Sequence, residues 1–341
     1  IRDVLLSLVG SEMCIRDRRI LSGLSKLLSQ DTGWSGLDAL DHYFETQPLP
    51  HAGAWFAHQL PDWVQRIGTG GTLFVELVVP LFMLLPRPWR MAAAWLTILW
   101  QLLIIATSNH NFVNLLTIPL CLFLFDDRAL SRVMPDSLAR HGTRTSPFAG
   151  AARAGTAVAT VLVALVVVPA SLTAAAEMIR AAPVPVLSAL NQWVEPFRIA
   201  NRYHVFPTID RERIAVQIEA SLDGEHWVPI DYRYAPDDPR AITGFIVPHQ
   251  PRVDWALWFV PKGPHFLDWF ERFQHGLLAG SPEIKALLAQ PPFSDQPPGM
   301  LRTRVYRYRF ATPDERATRG VWWLREDLGP FFPLPYLARE P

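Results

Sequence analysis

Four long apolar runs, all between residues 71 and 179, constrain this chain more than any other feature. They are Gly71–Leu85, Met91–Ala106, Phe112–Phe125 and Thr156–Ile179. A helix that crosses a bilayer needs about 20 apolar residues, with a range of roughly 17–25. Only the fourth run reaches that alone, so flanking residues must extend the others. The third is short enough to be a re-entrant or buried helix. Pro80, Pro119 and Pro169 fall inside runs and predict kinks, which packed membrane helices tolerate.

The loops between the runs test the spanning reading independently, because basic residues favour the cytoplasmic side of short loops. Pro86–Arg90 carries Arg87 and Arg90, Thr107–Asn111 carries no Lys or Arg, and Asp126–Gly155 carries Arg128, Arg132, Arg140, Arg144 and Arg153. Charged and uncharged loops alternate as four spans require. Residues 30–70 and everything after about residue 180 then share the non-cytoplasmic side. Thr143–Gly155 reads as a flexible cytoplasmic linker. Half the residues are hydrophobic, only 19% are charged, and the net charge is zero. Nothing there argues for a nucleic-acid partner.

Ile1–Arg18 looks like a spurious translation of sequencing-adapter DNA and is set aside from fold reasoning, as a tag would be. On that reading the natural N-terminus is missing, and membrane helices with it. The two cysteines are Cys14 and Cys121, and the chain from residue 180 onward has none. That region therefore neither forms a disulfide nor performs thiol chemistry by itself.

The C-terminal region has a different texture. Arg213–Ser221 alternates Ile214, Val216, Ile218 and Ala220 with polar residues, the signature of a half-buried strand. Asp223-Gly224 offers a hairpin turn. Val228, Ile230, Tyr232 and Tyr234 form the returning face, and Val253, Trp255, Leu257 and Phe259 predict another strand, as do Arg304, Tyr306, Tyr308 and Phe310. Phe266, Trp269, Phe270, Phe273 and Leu277 fall at helical spacing, and Ser281-Pro282 caps a helix over Glu283–Ala289. The expected architecture is an α+β membrane protein. A helical transmembrane bundle within residues 19–180 precedes a β-sandwich-like domain with helical insertions over 181–341.

No nucleophile elbow, zincin motif, phosphate-binding loop or dinucleotide fingerprint is present, so the sequence gives no catalytic residue, cofactor or metal. His42, Glu45, His51 and His58 cluster before the first run. Their spacing fits no strong metal template, and the alternative is a polar layer against lipid headgroups or the C-terminal domain. Glu76 and Gln101 lie inside apolar runs, where a carboxylate is costly and faces a bundle interior or cavity. With Asn109, Asn111 and Asn114, the residues His42, Glu45 and Glu76 form a candidate polar pocket. The alternative for the asparagines is satisfaction of helix-end backbone groups. His249, Arg252, Asp254, Trp255 and Trp258, on a proline-braced run, form a candidate partner-binding strand, with Arg252 and Asp254 able to pair. Trp255 and Trp258, like Trp322 and Trp323, should divide between core and surface.

Several of these motifs together resemble the lipase maturation factors, from roughly residue 19 to residue 336. They are Leu40–Pro50 (LDHYFETQPLP), Trp55–Pro61, Glu76–Pro80, Asn109–Thr117 (NHNFVNLLT), Asp126-Asp127, Pro248–Phe259 (PHQPRVDWALWF), Pro291–Phe293 and Trp322-Trp323. His110, Val113 and Asn201–Phe206 depart from the family pattern. The resemblance implies a membrane-resident factor, with no cofactor, that helps exported proteins such as lipases reach an active, assembled state. Its partners would be an exported client and membrane lipids. The family works in the endoplasmic reticulum membrane of animals. The composition here looks bacterial, which places this chain in an inner membrane with its C-terminal domain outside the cytoplasm. Two alternatives remain at this level. One is an integral membrane enzyme of carboxylase-like layout, with the polar pocket at the outer end of the bundle. The other is a tethered extracytoplasmic binding module.

Overall fold

The computed structural model describes residues 19–110, 112–130, 149–178, 205–293, 296–331 and 336–338, with isolated positions between 185 and 196. Residues 1–18, Asn111, Arg132, Arg140, Arg144 and the start of the expected linker lie outside the described residues. From Ala149 onward that linker is helix. Helices in order are α1 (residues 19–27), α2 (Ala39–Thr46), α3 (Ala52–His58), α4 (Asp62–Leu77), α5 (Val79–Phe82), α6 (Arg87–Thr107), α7 (Phe112–Cys121), α8 (Asp127–Leu130) and α9 (Ala149–Met178). The chain divides into two units. The first holds Ile1–Ala39, Arg66–Leu102 and Val113–Thr208, and the second holds Leu40–Gln65, Leu103–Phe112 and Ile209–Pro341.

In the first unit, the first apolar run is reached by a helix that starts at Asp62, upstream of the run, and breaks at Val78 before Pro80. Proline in a helix removes a donor and clashes with the preceding turn, which accounts for the break. Helix α6 is inverted relative to a soluble helix. Ala93, Ala94, Thr97 and Gln101 are buried, while Trp95, Leu96, Leu99, Leu102 and Leu103 are exposed. Only 22% of its apolar window is buried, whereas the core helix of a soluble protein hides its leucines. By length and composition α6 is the one helix among the described residues able to cross a membrane. Some side chains of the 30-residue α9 are not described.

The third run is shorter than a span: α7 continues only into a 3-10 turn, Leu122–Leu124. It nevertheless runs antiparallel beside α6. Asn114 Nδ2 donates to Gln101 Oε1 at 2.9 Å, Phe125 meets Trp95 edge-on at 5.3 Å, and Arg90 Nε donates to Leu124 O at 3.1 Å. Arg87 closes the far end on Asp126. Gly23 on α1 allows a close helix approach, since a Cβ there would lie 2.7 Å from Leu77.

In the second unit the strands are β1 (Arg213–Ser221), β2 (Val228–Pro229), β3 (Asp231–Tyr232), β4 (Leu288–Gln290), β5 (Met300–Phe310), β6 (Trp323–Pro330) and β7 (Tyr336–Ala338). One antiparallel sheet runs β2-β1-β5-β6, with β7 also on β5, and β3 and β4 form a separate ribbon. The expected domain is met as mixed helix and sheet: the main sheet packs on helices, and Tyr232 and Leu288 of the two-stranded ribbon join the same core. One half of β5 and the apolar face of β1 meet α11 (Leu267–Leu278), burying Val216, Ile218, Ala220, Leu301, Phe270, Phe273 and Leu277 together. The other half of β5 turns Tyr306, Tyr308 and Phe310, with Trp323, against Phe44 and Trp55 of α2 and α3.

Three expectations need correction. Val253–Phe259 is not a strand: Arg252–Leu257 is helix α10, with Val253 and Leu257 buried one turn apart. Proline before the first residue and aspartate in the first turn favour that helix. The face Val228–Tyr234 breaks, because Val228 is exposed on β2 while Tyr232 joins the ribbon. The helix after Ser281 stops at Lys285 (α12, Pro282–Lys285) and gives way to β4, although Ser281 does accept from Ile284 N–H. Helix α13 (Pro313–Arg319) closes the set with a capping box at Thr312.

Candidate functional site

The expected site residues lie mostly in the second unit, where the α2–α3 segment, the end of α6 and the C-terminal domain form one body. Arg213, the first residue of β1, is 4% exposed. Its guanidinium donates to three carbonyls at the end of α2 and just beyond it: Glu45 O at 3.1 Å, Pro48 O at 2.9 Å, and Gln47 O. Burial lowers its pKa to about 10, so the group stays charged at neutral pH. Two indoles add to this clamp. Trp55 Nε1 donates to Ala311 O at 2.8 Å and Trp258 Nε1 to Thr46 O at 2.7 Å.

Glu45 accepts the Phe310 N–H at 2.6 Å, and His58 Nε2 lies 3.8 Å away. Burial raises the Glu45 pKa, opposed by the Phe310 amide, Arg213 and Arg309. Burial lowers His58, with the charge of His42 acting in the same direction. His51 caps α3, its Nδ1 accepting Gly53 N–H at 2.9 Å, and burial lowers its pKa too. Asn109 completes the body. Its Nδ2 donates to Leu49 O at 3.0 Å and Gly244 O at 2.8 Å, and its Oδ1 accepts Ile246 N–H at 3.1 Å.

Of the six residues in the pocket expected from sequence, His42, Glu45 and Asn109 belong to the second unit, Glu76 and Asn114 belong to the first, and Asn111 lies outside the described residues. There Glu76 takes the Lys26 ammonium at 2.8 and 3.1 Å, with Ser22 alongside, and Asn114 bonds Gln101. Of the partner-binding set, Asp254 is buried and accepts the Tyr234 and Ala235 N–H groups at 2.8 and 2.9 Å rather than pairing with Arg252. His249 and Arg252 are exposed, while Trp255 and Trp258 are half-buried on a helix and the residue after it. Lys262 sits 3.1 Å over the Trp258 ring. The tryptophan pair divides as expected: Trp323 is fully buried and Trp322 half-buried, with Arg316 stacked on it at 3.6 Å. Sequence reasoning missed Arg213 and Lys26, since no residue pattern marks either position.

A cavity of about 30 Å³ is lined by Arg213, Gln217, Tyr232, Asp237, Asp254 and Tyr308. That is room for about two waters and not for a lipid or quinone. Among the described residues no group of three or more His, Cys, Asp or Glu side chains is placed to hold a metal ion.

The histidines set an acid sensitivity whose sign follows from their shifts. Their folded pKa values lie below the ordinary 6.5. Below 6.5 the unfolded chain binds more protons, so their contribution is lost as pH falls towards the folded values. Protonating His51 also removes the acceptor that caps α3. Glu45, raised in the fold, works the other way and gains as pH falls. A His51→Asn/His58→Gln variant keeps a capping side chain. It is expected to lose less stability than the parent between about pH 7 and about pH 5.5, the range in which histidine changes charge. Melting curves at both pH values check this, and equal losses in the two proteins would exclude the histidines as the sensitive groups.

Comparison with known proteins adds a family. Residues 16–132 match the Lipase maturation factor transmembrane domain and residues 199–333 the Lipase maturation factor C-terminal domain. The chain is 34% identical to Lipase maturation factor 1 of Bos taurus, over 92% of this chain and 58% of that protein. It is 31% identical to Lipase maturation factor 1 of Homo sapiens, over 92% of this chain and 57% of the relative. Lipase maturation factor 2 of Gallus gallus is 29% identical, with 92% and 57% covered. The chain thus spans rather more than half the length of these relatives. No solved structure matches it.

Proposed function

Because the chain belongs to the lipase maturation factor family, we propose that it is a membrane-bound maturation factor for exported lipases or similar exported proteins, with its second unit on the non-cytoplasmic face. The observation that carries this reading is the make-up of the second unit. Residues 40–65, 103–112 and 209–341 pack as one body, and all three lie on the side that the loop arginines assign to the exterior. A body shared by residues 103–112 and 209–341 favours an even number of crossings between them, so α9 should not cross alone. The antiparallel pairing of the third run with α6, from Asn114–Gln101 to Leu124–Arg90, supports the accompanying crossing. The pairing extends to Leu124 and Asp126 against Arg90 and Arg87, which favours a crossing despite the short helix.

A surface that holds clients needs no catalytic group, and Arg213, Glu45, Asn109 and Asp254 are used on backbone amides and carbonyls. Deleting the gene is expected to lower the specific activity of secreted lipases while their secreted amount changes less, and the full chain should restore it. Unchanged lipase activity, together with no exported protein recovered on the membrane-extracted chain, would remove the reading.

A further inference from the structure

Phe245 is a large apolar side chain on the C-terminal domain, and it is 61% exposed. The backbone on both sides of it is held by one residue: Asn109 donates to Gly244 O and accepts from Ile246 N–H. Thr243, the next residue back, bridges to His51, whose ring meets Phe245 edge-on at 5.9 Å. Asn109 follows Thr107, the last residue of α6, by two positions. Two residues reach about 7 Å at most. Phe245 is therefore fixed at the level where the apolar helix ends.

Other exposed apolar groups of the second unit sit at equivalent points of the chain. Leu103 lies in the last turn of α6 and Phe112 starts α7. Phe56, Leu60 and Trp63 lead into α4. Aromatic side chains collect at membrane–water interfaces, where the ring is apolar and the surroundings are wet. His249 and Arg252, both exposed, follow Phe245 in the chain and supply the polar groups that an interfacial anchor carries.

We propose that the 243–246 loop is a membrane-contacting wedge, in which Asn109 holds Phe245 in the headgroup–acyl boundary of the bilayer. The lipid surface is the occupant because the clamp ties the loop to the end of a helix whose own leucines face outward. A segment of this kind dips about 5–10 Å into the boundary. The inference rests on the reading of α6 as a span. It adds that the C-terminal domain touches the bilayer through its own residues.

The test is nitroxide labelling in a Cys14→Ser/Cys121→Ala background, with the full chain in phosphatidylcholine vesicles. Phe245→Cys, Leu287→Cys and Leu99→Cys are labelled one at a time, and collisions with oxygen and with a water-soluble nickel chelate are measured. Leu287 is an exposed leucine elsewhere on the second unit, and Leu99 is exposed in the middle of α6. The expected result is an oxygen-to-nickel accessibility ratio at 245 several-fold above that at 287 and approaching that at 99. If 245 matches 287 while 99 is lipid-like, the wedge is wrong and the span stands. Low accessibility to both reagents at 245 would mark a protein contact and also overturn the wedge. An aqueous Leu99 would overturn both readings.

Discussion

Replacing Arg213 by alanine is expected to destabilise the second unit by about 3–5 kcal/mol, because three carbonyls lose their donor at once and each buried acceptor left unmade costs about 1–3 kcal/mol. The upper part of the range assumes that no water reaches the vacated space. The guanidinium is also 5.3 Å from the Trp323 ring, so its packing is lost with its charge. Lysine should recover only part of the loss, since an ammonium cannot reproduce the fork that serves Glu45, Gln47 and Pro48 together. Protease digestion across a temperature series, in detergent, reads the effect directly: the segment after α2 should be cut first. An Arg213→Ala protein as resistant as the parent would show that the three carbonyls are satisfied in some other way.

The second large effect belongs to the first unit. Lys26 directs its three ammonium protons at Glu76 Oε1, Glu76 Oε2 and Ser22 Oγ, at 3.1, 2.8 and 2.8 Å, and its side chain is only 4% exposed. Removing one member of such a pair strands the other charge and costs about 3–5 kcal/mol, whereas replacing both by apolar residues of similar volume is often nearly neutral. Lys26→Met and Glu76→Gln are each expected to reduce the yield of folded protein sharply. Lys26→Met combined with Glu76→Leu should be clearly milder than Lys26→Met alone. Monodisperse protein recovered from membranes is the measurement. If the double variant is as poor as the sum of the singles, the pair is not what holds α1 to α4.

How much of this was legible beforehand depends on the kind of interaction. Strand β1 could be read from Ile214–Ala220 and helix α11 from Phe266–Leu277, because burial selects residue type and spacing records the period. Helix α10 was misread for a related reason. Val253, Trp255, Leu257 and Phe259 alternate, but so does any helix with apolar residues on several sides. The observed burial of Val253, Asp254, Leu257 and Val260 follows the helical period instead. The partners of the polar residues were not legible in this way. Glu45, Glu76, Asn109 and Asn114 are all buried or half-buried, and each is held by groups that spacing does not mark.

The sequence by itself determined where apolar runs lie, how the arginines divide among the loops, and the family motifs, since hydrophobicity, charge asymmetry and composition are properties of side chains. Only the tertiary structure decided that the α2–α3 segment packs with the β-rich domain. It also decided that Arg213 holds that segment, that Asn109 fixes the loop bearing Phe245, and that the short third run travels alongside α6. The physical reason is shared by the Arg213 and Asn109 contacts. Arg213 and Asn109 bond chiefly to main-chain carbonyls and amides. Every residue has a carbonyl, so a contact made to one leaves no mark on the identity of the residue that accepts it.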